Sequence, residues 1–156
     1  MAEARGAGER APVLTGGCQC GAVRYALYAT PDKVDICHCR MCQRAMGNLF
    51  MAEADVALDD FAWIGGEPAR FESSAQAERY FCGRCGTPLG FRYLEEARLS
   101  VTVGSLDQPE RAEPTLQYGI ESRLPWIDRI LATPGATTRE TVPGGAVLSY
   151  QDPNRG

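Results

Sequence analysis

The sequence predicts a mainly β protein of short antiparallel strands, stapled by metal-binding cysteines. Three observations lead there. Apolar residues recur at period two in Val23, Tyr25 and Leu27, and again in Leu99, Val101 and Val103, which is the alternation of a half-buried strand. Turn residues such as Pro31, Asp59-Asp60, Gly65-Gly66, Pro109 and Pro114 cut the chain at short intervals. Seven cysteines fall in chelating spacings, which suits a small fold held by ions.

Taken in order, residues 1–12 read as an N-terminal tail rich in Ala, Gly, Glu and Arg. The alternation at 23–27 then gives a first strand. The run Cys39 to Met46 is a brief helical candidate. Leu49 to Met51, Phe61 to Ile64, Tyr80 to Phe81, Leu89 to Tyr93, the 99–103 alternation and Thr115 to Ile120 read as further strands. Pro125 to Leu131 is a second short helical candidate. One domain is expected over 13–133, because 156 residues is a usual single-domain length. Residues 134–156 hold Pro134, Gly135, Pro143, Gly144, Gly145 and Pro153 and read as a loosely docked extension. Phe50, Phe61, Trp63 and Phe91 are expected in the core.

Composition narrows the function. Hydrophobic residues are 44% and charged residues 23% of the chain, ordinary for a folded soluble protein. The net charge is −4, which gives no basic field for a phosphate backbone and disfavours nucleic acid. No segment reaches the roughly 20 apolar residues of a membrane helix. Met1 to Thr15 has no apolar core of a signal peptide. A cytoplasmic location is therefore expected, where thiols stay reduced and a disulfide framework is a poor explanation for the cysteines.

The seven thiols divide as four plus three. Cys18-Gln19-Cys20-Gly21 and Cys82-Gly83-Arg84-Cys85-Gly86 each offer half of a four-sulfur site. In each, a glycine after the second cysteine permits a tight turn that aims amides at sulfur. Zinc in a structural role prefers four thiolates at about 2.3 Å. The halves lie about 60 residues apart, so the ion would clip an early hairpin to a late one. Apparent zinc affinities of about 10–16 kcal/mol match or exceed the roughly 5–15 kcal/mol stability of a small domain. Buried reduced cysteines are the plain alternative, and Cys18 and Cys20 joining two of the middle thiols is another.

The remaining thiols sit in Cys37-His38-Cys39-Arg40-Met41-Cys42. An extended 37–39 segment puts Cys37 and Cys39 on one side and His38 on the other, and the next turn brings Cys42 round. Three thiolates leave a tetrahedral ion one ligand short, as in a catalytic zinc site. Closure by His38 or a carboxylate, and a metal-free redox cluster, stay open, as does iron in place of zinc.

These segments also carry a resemblance. Gly16-Gly17-Cys18-Gln19-Cys20-Gly21-Ala22-Val23-Arg24-Tyr25, Cys37 to Arg44 and Phe81-Cys82-Gly83-Arg84-Cys85-Gly86-Thr87-Pro88-Leu89 resemble the glutathione-dependent formaldehyde-activating enzyme family, as do Gly104 to Asp107 and Ser122 to Trp126. The likeness runs from about Leu14 to about Ile130. It implies a β-tent of two packed antiparallel sheets with few short helices. It implies a structural zinc on Cys18, Cys20, Cys82 and Cys85, and a functional zinc on Cys37, Cys39 and Cys42. The activity implied is that of a carbon–sulfur lyase, adding a glutathione-like thiol to formaldehyde or a related aldehyde. On this motif His38 is a candidate to orient a thiolate or move a proton. Arg40 and Arg44 are candidates to grip substrate carboxylates, and Trp126 to wall the pocket. The alternative within the same fold is a non-catalytic, zinc-stabilised binding module. The oligomeric state is left undetermined.

Overall fold

The computed structural model describes residues 10–141 and 149–152. Residues 1–9, most of the expected N-terminal tail, lie outside the described residues, as do 142–148 and 153–156 of the C-terminal extension. Among the described residues, ten strands form two sheets. The smaller joins β1 (Leu14–Gly17), β2 (Arg24–Leu27) and β5 (Phe61–Gly65) in the order β1-β2-β5. The larger contains β3 (Lys33–Cys37), β4 (Met51–Ala57), β6 (Ala69–Ser74), β7 (Ala77–Phe81), β8 (Pro88–Tyr93), β9 (Arg98–Thr102) and β10 (Leu116–Tyr118), in the order β10-β3-β4-β9-β8-β7-β6. One seven-residue helix, α1 (Arg40–Met46), follows β3. The second helical candidate is a 3-10 segment, Ile127–Ala132.

Alternation fixes the core as expected. Tyr25, Leu27, Leu99 and Val101 are buried, with Ala54, Val56, Leu89 and Leu106, in one cluster. Ala26 is buried too, so β2 is covered on both faces. The Tyr25 hydroxyl meets Ser105 Oγ at 2.7 Å, and Ser105 Oγ donates to Thr102 O at 2.8 Å, so the polar tip of the core tyrosine is satisfied. Phe61 and Trp63 pack against this core. Phe91 belongs to a second, smaller cluster with Cys37, Cys42 and Met51.

Pairing is antiparallel except at one edge, where β10 runs parallel to β3. Chain direction explains it. β3, β4 and β9 alternate, so β9 points the same way as β3. Residues 103–115 then carry the chain past β4 and β3 to the outer edge, a crossover of the length a parallel partner requires.

β3 is the strand that the alternation concealed. Its apolar Val34 and Ile36 are only partly covered, whereas Asp35 and Cys37 are buried. The inward face of this strand carries a carboxylate and a thiol rather than aliphatic side chains. β10 ends against the start of α1: His38 N–H donates to Tyr118 O at 2.8 Å, and Gly119 follows at φ +64°. A Cβ on Gly119 would stand 2.9 Å from the Cys39 backbone nitrogen. Gly119→Ala should therefore cost about 1–3 kcal/mol from backbone strain and the displaced contact, read as a lowered midpoint in urea unfolding.

Candidate metal centre

Both cysteine groups predicted from spacing are assembled. The sulfurs of Cys18, Cys20, Cys82 and Cys85 lie within 4.8 Å of one another, and so do those of Cys37, Cys39 and Cys42.

The first group joins the β1–β2 turn to the β7–β8 turn. Cys18 and Cys20 sulfurs are 3.6 Å apart, and Cys20 and Cys82 sulfurs 3.8 Å. Four sulfurs about 2.3 Å from a central zinc would be about 3.8 Å apart, so the donor set fits a tetrahedral ion. Amides face the sulfurs: Val23 N–H donates to Cys18 Sγ at 3.2 Å and Arg84 N–H to Cys82 Sγ at 3.4 Å. The turns close through the glycines after Cys20 and Cys85, both at positive φ. The C-terminal extension reaches this group, since Asp152 N–H donates to Gln19 O at 2.9 Å.

The second group is built at the junction of β3 and α1. Cys37 ends the strand, Cys39 caps the helix with its sulfur accepting from Cys42 N–H at 3.3 Å, and Cys42 lies in the first turn. Among the described residues no fourth His, Cys, Asp or Glu ligand atom joins it. His38 is buried with its Nε2 2.9 Å from Gln117 Oε1 and its ring edge-on to Phe50. Gln43 fixes the segment by donating to His38 O at 2.6 Å and Ser122 O at 3.1 Å.

A cavity of about 500 Å³ opens on the three sulfurs. Asp35 and Glu53, directly opposite across β3 and β4, line it, with Arg79 and Phe91 on the other wall and Tyr93 and Tyr118 at its exposed rim. Phe91, expected in the core, thus faces the cavity. Arg40 and Arg44 line a separate surface hollow on α1, and Trp126 is 40% exposed; none of the three lines this cavity.

Charge inside the cavity is sharply distributed. Arg79 is buried, with Nη2 3.5 Å from Cys42 Sγ. The Cys42 thiol is held below its ordinary pKa, first by its hydrogen bond with Cys37 and then by Arg79, while Cys37 is pushed up. Opposite, Asp35 pairs with Lys33 through one oxygen, leaving Oδ1 buried without a partner; Glu53 Oε2 is likewise buried and unpartnered. Burial, then the charge of Asp35, raises the Glu53 carboxyl to about 8.

Asp35, Glu53 and Arg79 escaped the sequence reading. The available signal was charge inside strand-like runs, Val34-Asp35-Ile36 and Ala77-Glu78-Arg79-Tyr80-Phe81, where a solvated face is the usual explanation.

Two β sheets whose turns meet at a four-cysteine cluster, with a three-cysteine cluster at a cavity, define a mainly β protein with two thiol groups that could hold metal ions. The family is explicit in comparison with known proteins: the family described as "Glutathione-dependent formaldehyde-activating enzyme" matches residues 13–122. The chain belongs to that family. A curated relative from Schizosaccharomyces pombe, named an uncharacterized lyase, is 32% identical over 85 residues, which are 53% of this chain and 59% of that protein. The chain therefore matches less than two thirds of that relative's length. A crystal structure of a Rhodobacter sphaeroides protein is similar in fold, with a TM-score of 0.53 at 22% identity over 67% of this chain and 98% of that one. No helix among the described residues is long and apolar enough to cross a membrane.

The raised carboxyl has a consequence for stability. From about pH 4.5 to about 8 the folded chain retains a Glu53 proton that the unfolded chain has lost. Its contribution to stability is full below that window and falls as pH rises through it. Glu53→Gln should flatten this decline, and urea unfolding at about pH 5 and about pH 9 measures it.

Proposed function

We propose that this protein is a zinc-dependent carbon–sulfur lyase of the S-hydroxymethylglutathione synthase type, joining a glutathione-like thiol to formaldehyde or a related small aldehyde. The observation that carries the reading is the set of three thiols with no fourth side-chain ligand, facing a cavity large enough for a small substrate. A closed structural site would present four donors, as Cys18, Cys20, Cys82 and Cys85 do.

Two zinc ions fit these donor sets, one structural and one held by Cys37, Cys39 and Cys42. Zinc held at the latter would supply the charge that keeps a substrate thiol as thiolate, which a free thiol of pKa about 8.5 is not at neutral pH. The rest falls to the chain. Cys37, Cys39 and Cys42 present a sulfur-rich wall, and Met51 and Phe91 beside them exclude water from it. The cavity confines thiol and aldehyde together, which replaces an encounter in solution by a positioned approach. In the forward direction a carbon–sulfur bond forms, the carbonyl π pair moves to oxygen, and the thiol proton ends on that oxygen. The reverse is the lyase direction. His38, hydrogen-bonded to Gln117, holds the strand end between Cys37 and Cys39. Arg40, Arg44 and Trp126 are kept as candidates for parts of a long thiol that extend beyond the cavity.

Elemental analysis with a thiol–aldehyde assay tests the proposal. Wild type should hold two zinc ions per chain. Cys39→Ser should hold one, keep its circular dichroism and lose turnover by at least about a hundredfold. Cys82→Ser should lose the fold as well, because the ion's contribution rivals the whole stability. Undiminished turnover in folded Cys39→Ser would remove the three-cysteine site from the reaction, and no turnover in zinc-loaded wild type would favour the non-catalytic binding module.

A further inference from the structure

Four basic side chains line the cavity: Lys33, Arg79, Arg92 and Arg98. Three are matched by carboxylates. Lys33 pairs with Asp35, Arg98 with Asp32 and Asp55, and Arg92 lies 3.8 Å from Glu78. Arg79 is in no ion pair with a carboxylate among the described residues, although only 7% of it is exposed. A buried guanidinium without a carboxylate partner is costly unless the neighbouring sulfurs balance its charge. Here it lies over the Phe91 ring at 4.8 Å, with Nη1 3.7 Å from Met51 Sδ and Nη2 3.5 Å from Cys42 Sγ. These soft contacts hold the group in place and leave N–H donors of its fork of five free for another acceptor.

The opposite wall sharpens the point. Asp35 and Glu53 line the cavity too, each with a buried carboxyl oxygen that has no hydrogen-bond partner, and neither offers a cation to an oxygen that gains charge. An oxygen that gains charge beside the sulfurs is best placed on the Arg79 side.

We propose that Arg79 is a catalytic residue that stabilises the oxyanion formed when a thiolate adds to an aldehyde carbonyl in this cavity; this rests on the reaction proposed above. As the new carbon–sulfur bond forms, the π pair moves to an oxygen two bonds from the incoming sulfur. That oxygen carries the charge that Arg79 meets, and it then takes up the proton that the thiol gave up, returned through water. Nothing is oxidised or reduced. A donor fixed by Phe91 and Met51 before reaction needs no rearrangement as the charge appears, which is the source of its effect.

Two thiols separate this role from simple charge balance. Thioacetate carries sulfur and a negatively charged oxygen on one carbon, as the adduct does; ethanethiol carries no oxygen. Calorimetric titration of the zinc-loaded protein, compared per thiolate present, should show wild type binding thioacetate at least about tenfold more tightly. In Arg79→Gln that advantage should disappear while zinc content stays as in wild type and ethanethiol affinity changes less than about threefold. Arg79→Lys should restore part of it. With formaldehyde and glutathione, kcat in Arg79→Gln should fall by about a hundredfold to a thousandfold, with a smaller change in KM. Equal wild-type affinity for the two thiols overturns the proposal, whatever becomes of the variants. Equal weakening of both in Arg79→Gln also overturns it, assigning the guanidinium to charge balance of the sulfurs and leaving the thiol–aldehyde reaction intact. Failure of wild type to bind either thiol removes that reaction and this proposal with it.

Discussion

The meeting of two tight turns, each carrying a pair of cysteines, is the constraint on which the rest of the architecture depends. Cys18 and Cys20 leave the small sheet between β1 and β2, and Cys82 and Cys85 leave the large sheet between β7 and β8. Their sulfurs converge to tetrahedral spacing. A single ion held there would tie the two sheets across a long stretch of chain. Ten short strands and two short α-helices among the described residues leave few extended elements to fix the sheet-to-sheet angle. Ligand bonds would do so more rigidly than dispersed packing, and the core of Tyr25, Leu27, Leu89 and Val101 fills the space between.

The second cluster is arranged by different means. It needs no distant partner, because a strand end, a helix cap and a first helical turn place Cys37, Cys39 and Cys42 within six residues of sequence. What the tertiary fold adds is its surroundings. β10 closes one side through the Tyr118–His38 backbone bond, Gln43 anchors α1 to the backbone of His38 and Ser122, and β7 and β8 bring Arg79 and Phe91 to the far wall. The result is a cavity with sulfur at one end, carboxylates along one wall and a guanidinium on the other. Such polarity costs folding energy, which the well-packed core and the four-cysteine cluster offset. Under the proposed reaction, where charge develops on an oxygen beside the sulfurs, that polarity has a use.

The unusual strands make the same point. β3 buries Asp35 while its Ile36 is only partly covered, and β7 buries Glu78 and Arg79 in succession. Both are departures from hydrophobic alternation, and both border the cavity or support a group that does. Local pattern and global structure disagree where chemistry is concentrated.

Sequence by itself determined the β class, the grouping of the cysteines and the helix at the middle cluster, because these are local. Alternation at 23–27 and 99–103, turn residues, and ligand spacings of two or three residues need no knowledge of what lies opposite. β1, β3 and β6 were not legible: β1 is a short run with two glycines, β3 turns a charge inward and β6 is largely exposed. The placement of Arg79, Asp35 and Glu53 in one cavity was decided only by the tertiary fold. β4 and β9 stand between β3 and β8, yet residues of β3, β4, β7 and β8 line one hollow. Contacts between residues so far apart in the chain follow from register and sheet closure, which no short window of sequence contains.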